Sequence, residues 1–200
     1  MPRPARFDDE QIVAATAKVA AAHGPAGATV ARIAGALRAP TGSIYHRFAS
    51  RDILLGEVWL RAAESFQAGF AAHLAGPDAK AAGLAAACYV PRQVREAPQQ
   101  ARILLLHRRE DFLHRGWPAP MKARAKALSA QMDEGLRSFC VRLFGRADAA
   151  SLRIAGYALA EAPLAAVRRH VEAKEAPPPV VDELIAATYL ACIAMAGAKP

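Results

Sequence analysis

At 200 residues and 21.2 kDa, with 54% hydrophobic residues dominated by Ala and Leu, the chain can bury a sizeable core in one or two domains. Its formal net charge of +8 suits a polyanionic partner without establishing one. Cys88, Cys140 and Cys192 stand alone, which excludes zinc-finger or zinc-ribbon spacing; they read as buried thiols in a reducing cytosol.

The positive charge is unevenly spread. Residues 1–50 carry six Lys or Arg against three acids, and residues 80–146 carry thirteen against five. Most of the excess therefore lies in the middle of the chain, where a solvated surface accounts for it. Residues 1–10 are polar and broken by proline, unlike a secretory leader. The apolar run 184–198 is too short to span a bilayer and is interrupted by Thr188 and Tyr189. A cytoplasmic protein without a membrane partner is expected.

The long gaps between prolines hold helix formers, and Val, Ile, Thr and aromatics never gather into alternating runs, so the class is all-α. Residues 1–7 read as a basic arm. Asp8 with Gln11 forms a capping box for a first helix whose stripe is Ile12, Ala15, Val19 and Ala20, ended by Gly24-Pro25. Thr16 lies at the edge of that stripe, within reach of the Ile12 carbonyl. Thr29 caps a second helix with Val30, Ile33, Ala34 and Leu37 inward. After a break at Arg38–Ala39, Pro40 opens a third, very short one. Ser50 caps a long helix from Arg51 to about Leu74. Later helices are expected over 79–90 (stopped by Pro91), 98–114, 118–144, 148–162, 164–173 and 181–195, with Pro177–Pro179 as a stiff connector.

The stretch from Thr29 to Phe48 has the makings of a helix-turn-helix: a compact core, a short turn and a second helix presented to a DNA groove. Ile44 and Phe48, four apart, anchor that helix. Thr41, Gly42, Ser43, Tyr45 and His46 are left more exposed. Thr41, Ser43 and His46 are candidates for base edges, and Gly42 allows the backbone to approach DNA closely. Thr29 and Tyr45 suit phosphate oxygens, and Arg32, Arg47 and Arg51 could neutralise backbone charge. Tyr45 has a second reading as a core partner of Phe48, and Thr29 and Ser50 as ordinary caps.

The joint order of these residues resembles the DNA-binding domain of the TetR family of bacterial transcriptional regulators. Its pattern is matched by Thr29, Ile33-Ala34 and Gly42-Ser43-Ile44-Tyr45-His46-Arg47-Phe48, and the opening of the next helix by Ser50-Arg51-Asp52-Ile53-Leu54. The turn departs from the family's Ala-Gly-Val-Ser: Arg38 stands where glycine is usual, and Pro40 replaces the serine cap. A non-glycine residue at positive φ costs on the order of 1 kcal/mol. Arg38 is expected to take over part of the phosphate contact.

The resemblance implies residues 1–50 as the helix-turn-helix domain and residues 51–200 as a larger helical domain for dimerisation and small-molecule binding. A single small reader contacts few bases, so pairing is also expected from geometry. Ala155, Gly156 and Leu159, with Leu184, Ile185, Tyr189 and Cys192, offer small or apolar stripes for a four-helix dimer interface, or for internal packing of a monomer. For a ligand pocket the candidates are Phe66, Phe70, Tyr89, Leu105, Phe112, Trp117, Met121, Leu128, Met132, Phe139 and Tyr157, with His107 as polar handle. Each has core packing as its plainer role. The expected effector is apolar or aromatic, an anion being the alternative.

An enzyme is disfavoured. The chain has no phosphate-binding glycine loop, no His-Glu-x-x-His and no nucleophile elbow, and no cofactor is implied. His107 and His114 share a helix face in this reading but make a poor metal site. The leading expectation is a dimeric repressor released from a palindromic operator by a small ligand. An activator, or a helical interaction module that does not use DNA, is the alternative.

Overall fold

The computed structural model describes residues 7–107, 111–112 and 116–197. Ten α-helices run through them: α1 (Asp9–Gly27), α2 (Val30–Leu37), α3 (Thr41–Tyr45), α4 (Arg51–Leu74), α5 (Ala79–Glu96), α6 (Pro98–Leu105), α7 (Ala119–Phe144), α8 (Ala149–Gly156), α9 (Ala162–Ala173) and α10 (Val180–Gly197). No strand occurs among the described residues. Residues 1–6 of the expected basic arm, and His114, lie outside them.

Local sequence sets the helix starts. Gln11 N–H donates to Asp8 Oδ1 at 2.8 Å and Asp8 N–H to Gln11 Oε1 at 3.1 Å, the reciprocal pair that opens α1. Thr29, Ser50, Asp78 and Asp148 cap α2, α4, α5 and α8 by the one-way bond, each side-chain oxygen accepting from a backbone N–H three residues on. The Thr16 hydroxyl, fully buried, donates to the Ile12 carbonyl at 2.7 Å. Gly24 at φ 74° breaks α1 where Gly24-Pro25 predicts an end, and a short final turn follows.

Three expected boundaries need correction, each at a proline or a loop. α5 does not stop at Pro91 but continues to Glu96. A proline within a helix costs about 3 kcal/mol, and here the buried neighbours Val90 and Val94 hold the helix together through it. The helix expected over 98–114 ends at Leu105. The segments expected at 148–162 and 164–173 are one continuous rod, because a π-helical turn at Tyr157–Glu161 absorbs Pro163: Ala162 N–H reaches back five residues to the Tyr157 carbonyl.

The apolar residues gather in three clusters. The first joins α1–α3 and the start of α4 through Ile12, Ile33, Ile44, Phe48, Leu54 and Val58, and also takes in Ile103 and Phe112. The second, largest cluster is built from α4, α5 and α7–α10 around Phe139, Leu159, Val167 and Tyr189. The third packs Trp117, Met121, Ala125 and Leu128 on Leu60 and Ala63 of α4. α4 contributes to all three, so it is the spine that links the N-terminal helices to the rest.

Charges reinforce that spine. Arg124 of α7 donates to Glu57 Oε2 at 2.6 Å and Glu64 Oε1 at 2.8 Å, while Arg61 bonds Glu57 Oε1 at 2.7 Å and pairs with Glu10 of α1. Burial pushes the Glu57 carboxyl up, but hydrogen bonds from Arg124 and Arg61 outweigh it and hold the group below its ordinary 4.5. A depressed folded-state pKa adds stability above the unfolded value, lost as pH falls through the folded one. Urea midpoints at pH 7 and pH 3.5 should therefore differ more for the wild type than for Arg124→Met.

Candidate nucleic-acid interface and effector cavity

α3 is five residues long and cannot be stable alone; two side chains hold it. Ile44 is 1% exposed, and Phe48, whose amide donates to the Ile44 carbonyl at 2.9 Å, is buried beside it. Fixing that face turns the other outward. Thr41, Gly42 and His46 are exposed, Ser43 is half-buried, and Tyr45 is 54% exposed. Tyr45 thus stays out of the core, against its alternative reading. No atom lies within 4 Å of the place a Cβ would take at Gly42, so backbone approach there is open. Thr29 is exposed, its Oγ1 accepting from Arg32 N–H at 3.3 Å.

The arginines sort differently from the sequence expectation. Arg51 Nε donates to the Ala28 carbonyl at 3.0 Å, and its Nη2 bonds the Pro25 and Ala26 carbonyls. It is a clasp between α4 and the end of α1, not a free cation for phosphate. Arg47 is paired with Asp9 at 2.6 Å, and Arg32 Nη1 donates to the Gly27 carbonyl at 2.9 Å. The side chain of Arg38, alone of the four, has no hydrogen-bond or ionic partner among the described residues, and it is exposed. It ends α2 in the left-handed region at φ 51°, and Ala39 N–H returns to the Ala34 carbonyl. The turn keeps the geometry that glycine usually supplies. Pro40 sits just before α3 and gives it no side-chain cap.

The aromatic residues expected around a pocket do not converge. Phe66 lines a cavity of about 200 Å³ between α4, α5, α6 and α7, and Phe70 lines a smaller neighbouring cleft of about 150 Å³. Tyr89 and Phe139 are packed in the largest cluster, Phe112 in the N-terminal one, and Trp117 with Met121 in the third. Tyr157 is exposed. His107 is not the polar handle of the cavity. It lies against the kink at Gly24, 6.1 Å from the Phe112 ring, beside an open cleft shared with Arg51 and Asp111. Burial lowers its pKa. Of the expected residues Leu105 and Met132 join Phe66 in lining the cavity, and its other walls come from residues that were not singled out, including Trp59, Val90, Val94 and Leu104, together with Gln67, Gln93 and Gln100.

The expected dimer stripe is also redistributed. Ala155, Leu159, Ile185 and Tyr189 are consumed by the chain's own core, and the Tyr189 hydroxyl donates to the Lys80 carbonyl at 2.9 Å. Leu184 is 60% exposed, with Gly156 and Cys192 half-buried. The outward face of α10 carries Val180, Leu184 and Met195, with Leu190 at its edge. Cys88, Cys140 and Cys192 are free, and burial pushes all three thiols up.

No helix among the described residues is long and apolar enough to cross a membrane. None of those residues form a group of three or more His, Cys, Asp or Glu able to hold a metal ion.

A short outward helix braced by a small three-helix core, on a spine leading into a larger helical body, is a helix-turn-helix arrangement. Residues 12–58 match the family profile described as bacterial regulatory proteins, tetR family. The match places the N-terminal segment among TetR-type DNA-binding domains and leaves the helices beyond residue 58 outside it. Solved structures share the whole fold. A TetR-like transcriptional regulator from Rhodococcus sp. RHA1 superposes with a TM-score of 0.70 at 16% identity, over 97% of this chain and 98% of that one. FadR from Bacillus subtilis in complex with stearoyl-CoA gives 0.67 at 13%, over 93% and 98%. A protein described as superantigen PfiT gives 0.67 at 20%, over 96% and 97%, so the shared fold by itself does not fix a role. No curated protein matches the chain significantly.

Proposed function

We propose that the protein is a homodimeric repressor that binds a palindromic operator and is released by a small molecule in the α4–α7 cavity. The division of labour falls near residues 50 and 51. The observation that carries the DNA half is the outward face Thr41, Gly42, Ser43, Tyr45 and His46 on a helix pinned by Ile44 and Phe48. Thr41, Ser43 and His46 reach base edges, and Thr29, Tyr45 and Arg38 hold phosphates. The apolar outward stripe of α10 supports a second copy across a two-fold, which sets two readers at the spacing of paired half-sites.

The cavity and the reader share α6. Ala101, Leu104 and Leu105 line the cavity, while Ile103 sits in the N-terminal cluster. Arg102 Nε donates to the Ala21 carbonyl of α1 at 2.8 Å, and its Nη1 to the Val171 carbonyl of α9 at 2.9 Å. A ligand that displaces α6 moves α1 with it, and so changes the separation of the readers. Selecting genomic fragments with the purified protein tests the whole reading: it should return a short inverted repeat. Binding with no symmetric motif, or none at low salt, overturns it.

Arg38 offers a sharper check of the phosphate contacts. Arg38→Gly should raise stability by about 1 kcal/mol, since glycine relieves the left-handed strain, and Arg38→Ala should not. Both should weaken DNA binding and reduce the slope of log K against log[salt] by about 0.9. Unfolding curves and anisotropy titrations over a salt series measure the two effects.

A further inference from the structure

The α4–α7 cavity carries information about its occupant that the fold does not. Its volume is about 200 Å³, and among the described residues no ionisable side chain lines it. Apolar groups make most of the wall, and the polar share comes from the side-chain amides of Gln67, Gln93 and Gln100. Gln93 is already engaged, its Nε2 donating to Glu96 at 3.4 Å. Gln67 is different: its Oε1 is shut off from water and accepts no hydrogen bond from the described residues, although the residue lines both this cavity and the neighbouring cleft.

An anion in such a wall would lose its hydration with no cation to replace it, a cost of several kcal/mol. The basic surplus of the middle region does not alter this, because none of those described cations line the cavity. A cavity of about 150 Å³ lined by aliphatic and aromatic groups takes up benzene, so about 200 Å³ admits a benzene ring with a short substituent. An unpartnered carboxamide oxygen in that setting favours a ligand bringing its own hydrogen bond. Whichever way the Gln67 amide is turned, a hydroxyl can answer it, since a hydroxyl both donates and accepts.

Resting on the reading of this cavity as the effector site, we infer that it selects small, uncharged, hydroxyl-bearing apolar molecules, of the size of an alkylphenol, and that Gln67 is the residue that sets this choice. Met132, beside Gln67 on both the cavity and the cleft, is the adaptable wall that lets the amide meet its ligand.

Three probes of one shape test the inference: 4-ethylphenol, 4-ethyltoluene and 4-ethylbenzoate, titrated calorimetrically into the full-length protein. The phenol should bind at least fivefold tighter than the toluene, and the benzoate should give no measurable heat. Gln67→Met, which keeps the length of the side chain and its helix preference, should erase or invert the preference for the phenol. It should also raise the melting temperature of the free protein, because a buried unpaired acceptor is gone. Ala101→Phe, which fills the cavity, should abolish binding of both neutral probes and confirms where they sit. Failure of both neutral probes to bind, tighter binding of benzoate, or an unchanged preference in Gln67→Met overturns the inference. Binding as expected with no change in DNA affinity would leave the ligand class standing and overturn only the reading of the cavity as an effector site.

Discussion

Phe48→Ala should cost about 3 to 5 kcal/mol, the usual loss for emptying a buried phenylalanine site, and with it nearly all binding to DNA. Phe48 is the last large apolar residue before the Ser50 cap of α4, and it packs in the cluster that contains Ile12, Ile33, Ile44 and Leu54. α3 has five residues and no side-chain cap, so it has no stability of its own to fall back on. Its loss would expose or unfold the reader while the larger cluster around Phe139 and Tyr189 stays formed. Urea unfolding followed by circular dichroism should split into two transitions, and anisotropy with duplex DNA should show affinity falling by more than a hundredfold. Tyr45→Ala is the control. Its side chain is exposed, so stability should change by no more than about 0.5 kcal/mol, while DNA affinity still falls. Retention of full affinity by Phe48→Ala would mean that α3 is not what meets DNA.

The reader was legible in the sequence because its signals are local. Caps at Asp8, Thr29 and Ser50 act within three residues, and the four-residue spacing of Ile44 and Phe48 decides which face of α3 is buried. The arginines were not legible for the opposite reason. Arg51 finds carbonyls 23 to 26 residues away, and Arg102 finds them 81 and 69 residues away. A cation read along the chain looks free until the folded backbone is known to turn a carbonyl toward it. Pro91 and Pro163 misled in a related way, since tertiary packing carried the helices through both.

The cavity was only partly legible, through Phe66, Leu105 and Met132, because aromaticity does not say which of several cores a ring joins. Phe112, Trp117 and Phe139 went to three different clusters. Gln67 gave no signal at all: a glutamine among apolar residues of a long helix reads as its solvent face. α10 shows a further limit. It is apolar nearly all round, and the stripe with the larger side chains, through Ile185 and Tyr189, is needed inside the chain, which leaves Val180, Leu184 and Met195 outward.

Gly56→Ala tests how tightly α4 is held to the loop before α7. Alanine ordinarily favours a helix interior over glycine by up to about 1 kcal/mol, so on propensity alone the change is stabilising. The structure predicts the reverse. A Cβ at Gly56 would lie 2.4 Å from Cε2 and Cζ2 of Trp117 and 2.5 Å from its Nε1, far inside contact distance. Trp117 cannot step aside, because it is buried against Leu60, Ala63, Met121, Ala125 and Leu128. Overpacking of this kind costs about 1 to 3 kcal/mol and occasionally more, and a displacement of more than 1 Å belongs at the upper end. The net expectation is a loss of about 2 kcal/mol and a change in Trp117 fluorescence. Trp117→Leu separates the clash from any general effect of the substitution. That change alone should destabilise by about 2 to 3 kcal/mol through the lost packing, and without breaking a hydrogen bond to any described residue, since the indole Nε1 has no partner among them. In the Gly56→Ala background it should cost much less, giving a coupling of more than 1 kcal/mol in the double-mutant cycle. Additive losses would show that Trp117 does not rest on Gly56. A coupled pair would show that the tilt of α4, and with it the angle at which α3 is presented, is set by an indole ring standing on a bare stretch of helix backbone.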